Sequence, residues 1–329
     1  ALLAALGAAL LARRAVTPGG GGGGEAPPLR VVFSDVDGTL AHYAWQFEDQ
    51  ADVLPGDNES SAVLRYKDSG RLVPCAALRS SRSGSAYISR RTLELAAELR
   101  ARGVVLALVT GARSSTHLGR RASLPAADFE AFETGGRLWR GGAPDQAWAR
   151  HIAASAGPAS DASLGPGQRA GPLWEEYRAL EAEGWHVDAK GFETAFRVAI
   201  PAKAESGLDA ARFESAVAPR LPGRGLQRAT NLGKVDVFPA SSGKANAAKH
   251  ILKLVGASPA EAAALFDDDN DLELADLCAR GFLPGVTHES VRTRLAERPH
   301  WRVAGHRGPL GTEEMLEEVL SLVAERATR

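Results

Sequence analysis

Apolar and polar residues follow one another along this chain in two rhythms. Apolar runs at 31–33, 104–109 and 263–266 each stop at polar or turn residues, and they read as buried strands. Between them the apolar positions recur at helical spacing. SRRTLELAAELRARG (89–103) carries Leu93, Leu95, Ala96 and Leu99, with Ser89 as its N-cap and Gly103 as its end. GKANAAKHILKLVG (243–256) sets Ala248, Ile251, Leu252 and Val255 on one face. GTEEMLEEVLSLVAERATR predicts a C-terminal helix with Thr312 as its N-cap. Strand, helix, strand in that order predicts parallel pairs joined by right-handed crossovers.

Two stretches break this pattern. Residues 41–86 read as irregular, apart from a hairpin around Asp68-Ser69-Gly70. ADFEAFETGGRLWRGG (127–142) predicts a strand, a Gly-Gly turn and a short return strand. Beyond it, 151–172 is rich in Ala, Gly, Pro and Ser and reads as loop or weak helix. LWEEYRALEAEGW and DAARFESAVAPRL then predict helices, FETAFRVAIP a strand, and LQRATNLGKVDVFP two short strands. That mixture suggests an α+β insert. The expected fold class is α/β: a doubly wound parallel-sheet, Rossmann-like core over 29–144 and 239–329, with an inserted α+β cap domain over 145–238.

Composition narrows the functions. The formal net charge is −1 and charged residues make up 24%, so no basic field marks a nucleic-acid or anionic-membrane partner. Cys75 and Cys278 lie far apart and make no CxxC, which argues against a disulfide scaffold and a cysteine zinc site. The apolar start, about a dozen residues ending at Arg13-Arg14, falls short of the roughly 20 that span a bilayer. Residues 1–28, with the glycine run Gly19–Gly24, are read as a flexible or targeting-derived segment outside the fold. The expectation is a soluble chain, cytoplasmic or plastid, with no stable membrane span; its oligomeric state stays open.

The chemistry sits where strands end. Asp35 and Asp37 follow the first strand, Thr110 the second, Lys244 opens a helix, and Asp267 and Asp271 follow the strand at 263–266. In an open parallel sheet, ligands bind beyond the carboxyl ends of the strands. If these strands are neighbours, carboxylates, a hydroxyl and an ammonium meet in one crevice. Oxygen donors without His or Cys select a hard cation, and Mg²⁺ also accepts a phosphate oxygen. One aspartate of such a set attacks phosphorus; the other gives a proton to the leaving oxygen. Gly38 permits the sharp turn between them.

These stretches resemble the haloacid dehalogenase superfamily of phosphohydrolases. DVDGTL (35–40) is similar to its first motif, LVTGAR (108–113) to its second, PASSGKANAAKHI (239–251) to its third and LFDDDNDLELA (265–275) to its fourth. The resemblance implies Asp35 as nucleophile and Asp37 as acid/base. It implies phosphate binding by Thr110, Gly111 and Lys244, with Arg113 as a candidate helper. The implied metal set is Asp35, Asp37, Asp267 and Asp271, with Asn270 nearby and Asp268 as the alternative if the acidic run is read one residue later. The insert between the second and third motifs, with GRLW after FET leading in and VDVFPASSGK leading out, resembles the cap of the Cof-like and sucrose-phosphate-phosphatase-like branch. The implied activity is Mg²⁺-dependent hydrolysis of a small phosphorylated metabolite, a sugar phosphate, through an aspartyl-phosphate. A phosphomutase and a catalytically silent phosphosugar-binding module are the alternatives. In the cap, Arg197 and Asn231 are the substrate-binding candidates. Lys234 and the tryptophans Trp139, Trp148, Trp174 and Trp185 are weaker ones, with a solvated sheet face or a core as the simpler reading. Phe266 stands where the family carries Gly, and 41–86 is longer than that branch leads one to expect.

Overall fold

The computed structural model describes residues 27–80, 84–200, 207–231 and 234–327; most of the expected N-terminal segment, residues 1–26, lies outside the described residues. The first half of the chain forms β1 (Val31–Ser34), β2 (His42–Tyr43), β3 (Ala51–Pro55), β4 (Ser61–Tyr66), β5 (Leu72–Ser80), β6 (Gly84–Ser89), α1 (Arg90–Ala101), β7 (Val105–Val109), α2 (Ser114–Arg120), β8 (Phe129–Phe132), β9 (Arg137–Arg140) and β10 (Ala143–Pro144). Next come α3 (Gln146–Ala156), α4 (Pro172–Ala182), β11 (His186–Asp188), β12 (Phe196–Ala199), the single turn α5 (Ala210–Arg212), β13 (Leu226–Asn231) and β14 (Lys234–Pro239). The chain closes with α6 (Lys244–Val255), β15 (Ala262–Leu265), α7 (Leu272–Leu277), β16 (Arg280–Leu283), α8 (Glu289–Glu297), β17 (Arg302–Val303) and α9 (Pro309–Ala327).

The central sheet runs β10-β9-β8-β7-β1-β15-β16-β17, antiparallel only at the β8-β9-β10 edge. Alternation along its strands sorts side chains between two layers. Val31, Phe33, Ala107, Ala262 and Ala264 face α6 and α7, packing with Ala248, Ile251, Leu252 and Leu274. Val32, Leu106, Ala263 and Leu265 face α1 and α9, packing with Leu95, Leu99, Leu316 and Val319. This two-sided burial explains why the strands read as continuous apolar runs. β1 lies between β7 and β15, parallel to both. Strand order reverses there, and a crevice opens at such a point.

Residues 42–89 depart from the expectation of an irregular segment. They form a separate antiparallel sheet, β2-β6-β5-β4-β3, that contains the expected hairpin as β4–β5. Short strands with Asp, Gly and Pro clusters between them hid the rest. The insert carries a four-stranded antiparallel sheet, β11-β12-β14-β13. Trp174, Tyr177 and Leu180 of α4 pack with Phe196, Val198 and Val237 of that sheet.

Several local expectations change. Asp145 caps α3 by accepting from Trp148 N at 2.8 Å, and this helix covers 151–156, the first part of the stretch read as loop or weak helix. DAARFESAVAPRL is not one helix: α5 passes into π-helical and 3₁₀ turns that include Pro219. α9 starts at Pro309, so Thr312 lies inside its first turn and is not its cap. The Thr312 hydroxyl instead donates to Thr39 O at 2.5 Å. Ser89 does cap α1, accepting from Thr92 N at 2.9 Å.

Candidate active site

The strand ends converge as their order requires. Asp35 N donates to Leu265 O at 3.0 Å, which sets the residue after β1 beside the end of β15. Asp35, Asp267 and Asp271 offer carboxylate oxygens that all lie within 4.8 Å of one another, and all three residues are buried. Lys244, the first residue of α6, reaches between two of them. Its Nζ donates to Asp35 Oδ1 at 2.9 Å and to Asp271 Oδ1 at 2.7 Å.

Burial pushes the Asp35 carboxyl upward, against the pull of Lys244. Burial raises Asp267 well above the carboxylate range, reinforced by Asp35, Asp271 and Asp268. It raises Asp271 to about 8, again against Lys244. Burial alone would lower Lys244, but Asp271 and Asp35 overcome it and hold the ammonium charged. With all three carboxylates ionised against one ammonium, two negative charges would stand uncompensated in a low-dielectric site, which is why burial holds their protons on. Asp271 Oδ2 is buried without a hydrogen-bond partner among the described residues. An oxygen-only donor set, a charge deficit of two and an orphaned acceptor fit a hard divalent cation.

The packing of the first turn is tight. Gly38 has φ +94°, and a Cβ there would stand 2.2 Å from Asp267 Oδ2. The Thr39 hydroxyl donates to Asp267 Oδ1 at 2.8 Å. His42, buried and driven down to about 3 by desolvation, meets the Thr312 hydroxyl at 2.7 Å. A chain of contacts thus runs from α9 through Thr312 and Thr39 to Asp267.

Asp37 does not join the three clustered acids. β1 ends at Ser34, so strand alternation does not carry both aspartates to one face. Asp37 Oδ1 instead accepts from Arg120 at 2.7 Å and from the Tyr43 hydroxyl at 3.0 Å. Arg120 also donates to that hydroxyl at 3.0 Å. Sequence reasoning missed Arg120, which reaches Asp37 across 83 residues with no local pattern to mark it. Beside them, Trp45 is 57% exposed and stacked on Tyr43 at 6.4 Å between ring centroids.

Within the acidic run, Asp267 enters the cluster, whereas Asp268 pairs with His288 at 2.6 Å and is pushed up to about 6 by burial. Phe266 is fully buried and meets Trp301 edge-on at 4.9 Å, turned to the core. Thr110 is buried at the end of β7, its Oγ1 accepting from Ala112 N at 3.0 Å, with Gly111 between them. Arg113 does not point to this cluster: it forks onto Asp188. Arg197 forks onto Asp236 at 2.5 and 2.8 Å. Glu193 precedes β12 and pairs with Arg137 at 3.1 Å, so it and Arg197 do not share a strand. Asn231 ends β13, and its side chain lies outside the described residues. Trp148, Trp174 and Trp185 are core.

A mostly parallel α/β sheet with acids gathered at its switch point and an antiparallel insert defines the class. No protein-family profile matches the chain, and no curated protein matches it. Solved structures do. The sucrose-phosphatase of Synechocystis sp., determined with sucrose and phosphate, is similar with a TM-score of 0.56 and 16% identity, covering 90% of this chain and 98% of that one. BT1666 of Bacteroides thetaiotaomicron, described among phosphatases of the haloalkanoate (HAD) enzyme superfamily, gives 0.55 and 12%, covering 93% and 99%. A haloacid dehalogenase-like hydrolase of the same organism gives 0.53 and 14%, covering 88% and 99%. The chain shares the fold of these structures, a mostly parallel α/β sheet with inserted antiparallel sheets. Among the described residues, no helix is long and apolar enough to cross a membrane.

Proposed function

We propose that this chain is a Mg²⁺-dependent phosphomonoester hydrolase acting on a small phosphorylated metabolite, with residues 145–238 as its cap. The observation that carries the reading is the meeting of Asp35, Asp267 and Asp271 around one lysine, from elements more than 200 residues apart in sequence. Asp35, Asp267 and Asp271 would hold the cation, which when bound supplies positive charge to the phosphoryl oxygens and keeps these acids ionised.

The chain's own groups divide the remaining work. Lys244 orients Asp35 and presents an ammonium beside the transferring phosphoryl group. Thr110 Oγ1 accepts from Ala112 N, which leaves its proton for a phosphoryl oxygen. Asp35 attacks phosphorus, and the bond to the leaving oxygen breaks as Asp37 gives that oxygen a proton. Asp37 then takes a proton from the water that cleaves the aspartyl-phosphate, releasing inorganic phosphate and restoring Asp35. Arg120 and Tyr43 hold Asp37 in place for both transfers.

A sugar phosphate is the substrate class we favour, because the similar Synechocystis enzyme was solved with sucrose and phosphate. The test is phosphate release from a panel of phosphorylated metabolites and p-nitrophenyl phosphate, with Mg²⁺ or EDTA. Turnover that vanishes with EDTA and in Asp35→Asn is expected. Ligand-induced thermal stabilisation without phosphate release in the native chain would instead make it a binding module. Return of the phosphoryl group to substrate would make it a mutase.

A further inference from the structure

The residues just after the Thr110 turn face the loop that joins β11 to β12. Arg113 donates to Asp188 at 3.3 and 2.8 Å and to Lys190 O at 2.5 Å. Its guanidinium lies 4.7 Å from the centre of the Phe192 ring. Ser115 N donates to Gly191 O at 3.3 Å. Gly191 has φ +78°, and a Cβ there would stand 2.1 Å from Ser115 Oγ, so only glycine allows this approach.

Behind this contact lies Glu133, fully buried in the turn after β8. Its carboxylate accepts from both sides. Ser114 N at 3.1 Å and Ser114 Oγ at 2.5 Å come from the start of α2. Glu193 N at 2.9 Å, Thr194 N at 2.6 Å and Thr194 Oγ1 at 2.7 Å come from the loop. Among the described residues, Glu133 and Thr134 are the two non-glycine positions with positive φ, at 53° and 52°. Backbone in that region persists only where its surroundings over-determine it. The same turn touches the candidate catalytic parts: Thr134 N donates to Thr110 O at 3.1 Å, and Gly243 N, next to Lys244, donates to Thr134 O at 2.9 Å. A carboxylate is the group that can accept all five donors at once; Gln at this position presents its own N–H to some of them.

We propose that Glu133 and Arg113 form a paired clasp that pins the 188–194 loop of the insert against the rim of the phosphate site and thereby sets which substrates are admitted and held. This rests on the phosphatase reading and on residues 145–238 acting as a cap. Glu133 is a positioning residue: it acts through the loop and touches no reacting atom. Loosening the clasp frees the loop, so a substrate whose leaving group must contact the cap loses more than one that has almost no leaving group.

The test compares Glu133→Gln and Asp188→Asn with the native full-length chain. Asp188→Asn weakens the clasp from the loop side if Glu133→Gln fails to fold. Hydrogen–deuterium exchange over 186–195 should speed at least tenfold in each folded variant, with β1 and β7 unchanged. The ratio of kcat/KM for the best sugar phosphate of the panel to that for acetyl phosphate should fall at least fivefold. Unchanged exchange over 186–195 in the folded variants would overturn the clasp. Faster exchange with an unchanged substrate ratio would overturn its role in admission. The exchange arm needs no turnover, so an inactive native chain would sink the phosphatase reading while the clasp is still judged by exchange.

Discussion

Replacing Lys244 by Met removes the single ammonium among three buried acids at nearly constant volume. Lys244 Nζ holds Asp35 at 2.9 Å and Asp271 at 2.7 Å, and the three side chains are at most 6% exposed. Before the change, three buried acids share one ammonium, which favours their ionised forms; after it, they have no counter-charge. Breaking a buried ion pair by removing one partner costs about 3–5 kcal/mol, because the charge left behind is desolvated and uncompensated. For a chain of this size that is a fall in Tm of roughly 10 °C. The assay is urea unfolding at neutral pH in EDTA, repeated with Mg²⁺, alongside phosphate release. The deficit should shrink with Mg²⁺, since the cation supplies the missing charge, while turnover stays on the order of a hundredfold down through loss of a preorganised charge donor. Lys249, exposed on α6, is the control, and Lys249→Met should stay within about 0.5 kcal/mol of the native chain. A loss below about 1 kcal/mol in EDTA, or one indifferent to Mg²⁺, would refute the picture of a charge-deficient acid cluster.

Other substitutions probe separate contacts. Gly38→Ala puts a Cβ 2.2 Å from Asp267 Oδ2 at φ +94°, so Asp267 must shift; the Mg²⁺ concentration for half-maximal activity should rise tenfold or more, and an unchanged value would mean that Asp267 is no ligand. Asp37→Ala should nearly abolish hydrolysis of a sugar phosphate yet spare part of the activity on p-nitrophenyl phosphate, whose leaving group needs little protonation. Equal losses on both would remove Asp37 from the acid role. His42 is neutral in the folded chain, its pKa lowered to about 3 by burial, whereas the unfolded chain takes up a proton below its ordinary value of 6.5. Its contribution is therefore present above pH 6.5 and is lost as pH falls toward 3, by about 2 kcal/mol at pH 5. Urea midpoints at pH 7 and pH 5 should separate less in His42→Gln than in the native chain; equal separations would refute that assignment.

Much of the fold was legible because its signals are local. A strand buried on both faces must be apolar throughout, and a helix packed on one face must repeat every three to four residues. Those rules located β1, β7, β15, α1 and α6. The acids and the lysine that cluster were legible too, since each sits at an element boundary that turn chemistry marks. What failed was the 42–89 sheet, whose short strands look like turns joined by turns, and the place of Asp37 in the metal set, since β1 ends at Ser34 and Asp37 turns to Arg120 and Tyr43.

Partner choice was decided elsewhere. Asp37 is held by an arginine 83 residues away, Arg197 is committed to Asp236 39 residues away, and Glu133 is bonded by a loop about 60 residues further on. Asp267, against which Gly38 and Thr39 pack, joins the cluster, whereas Asp268 pairs with His288. The sequence by itself determined the core's buried strands and one-faced helices and where charged groups end them, because burial and turn geometry act within a few residues. Tertiary structure alone decided which charges meet, because a buried ion settles on whatever counter-charge the packing brings within reach, and that distance in space has no trace in distance along the chain.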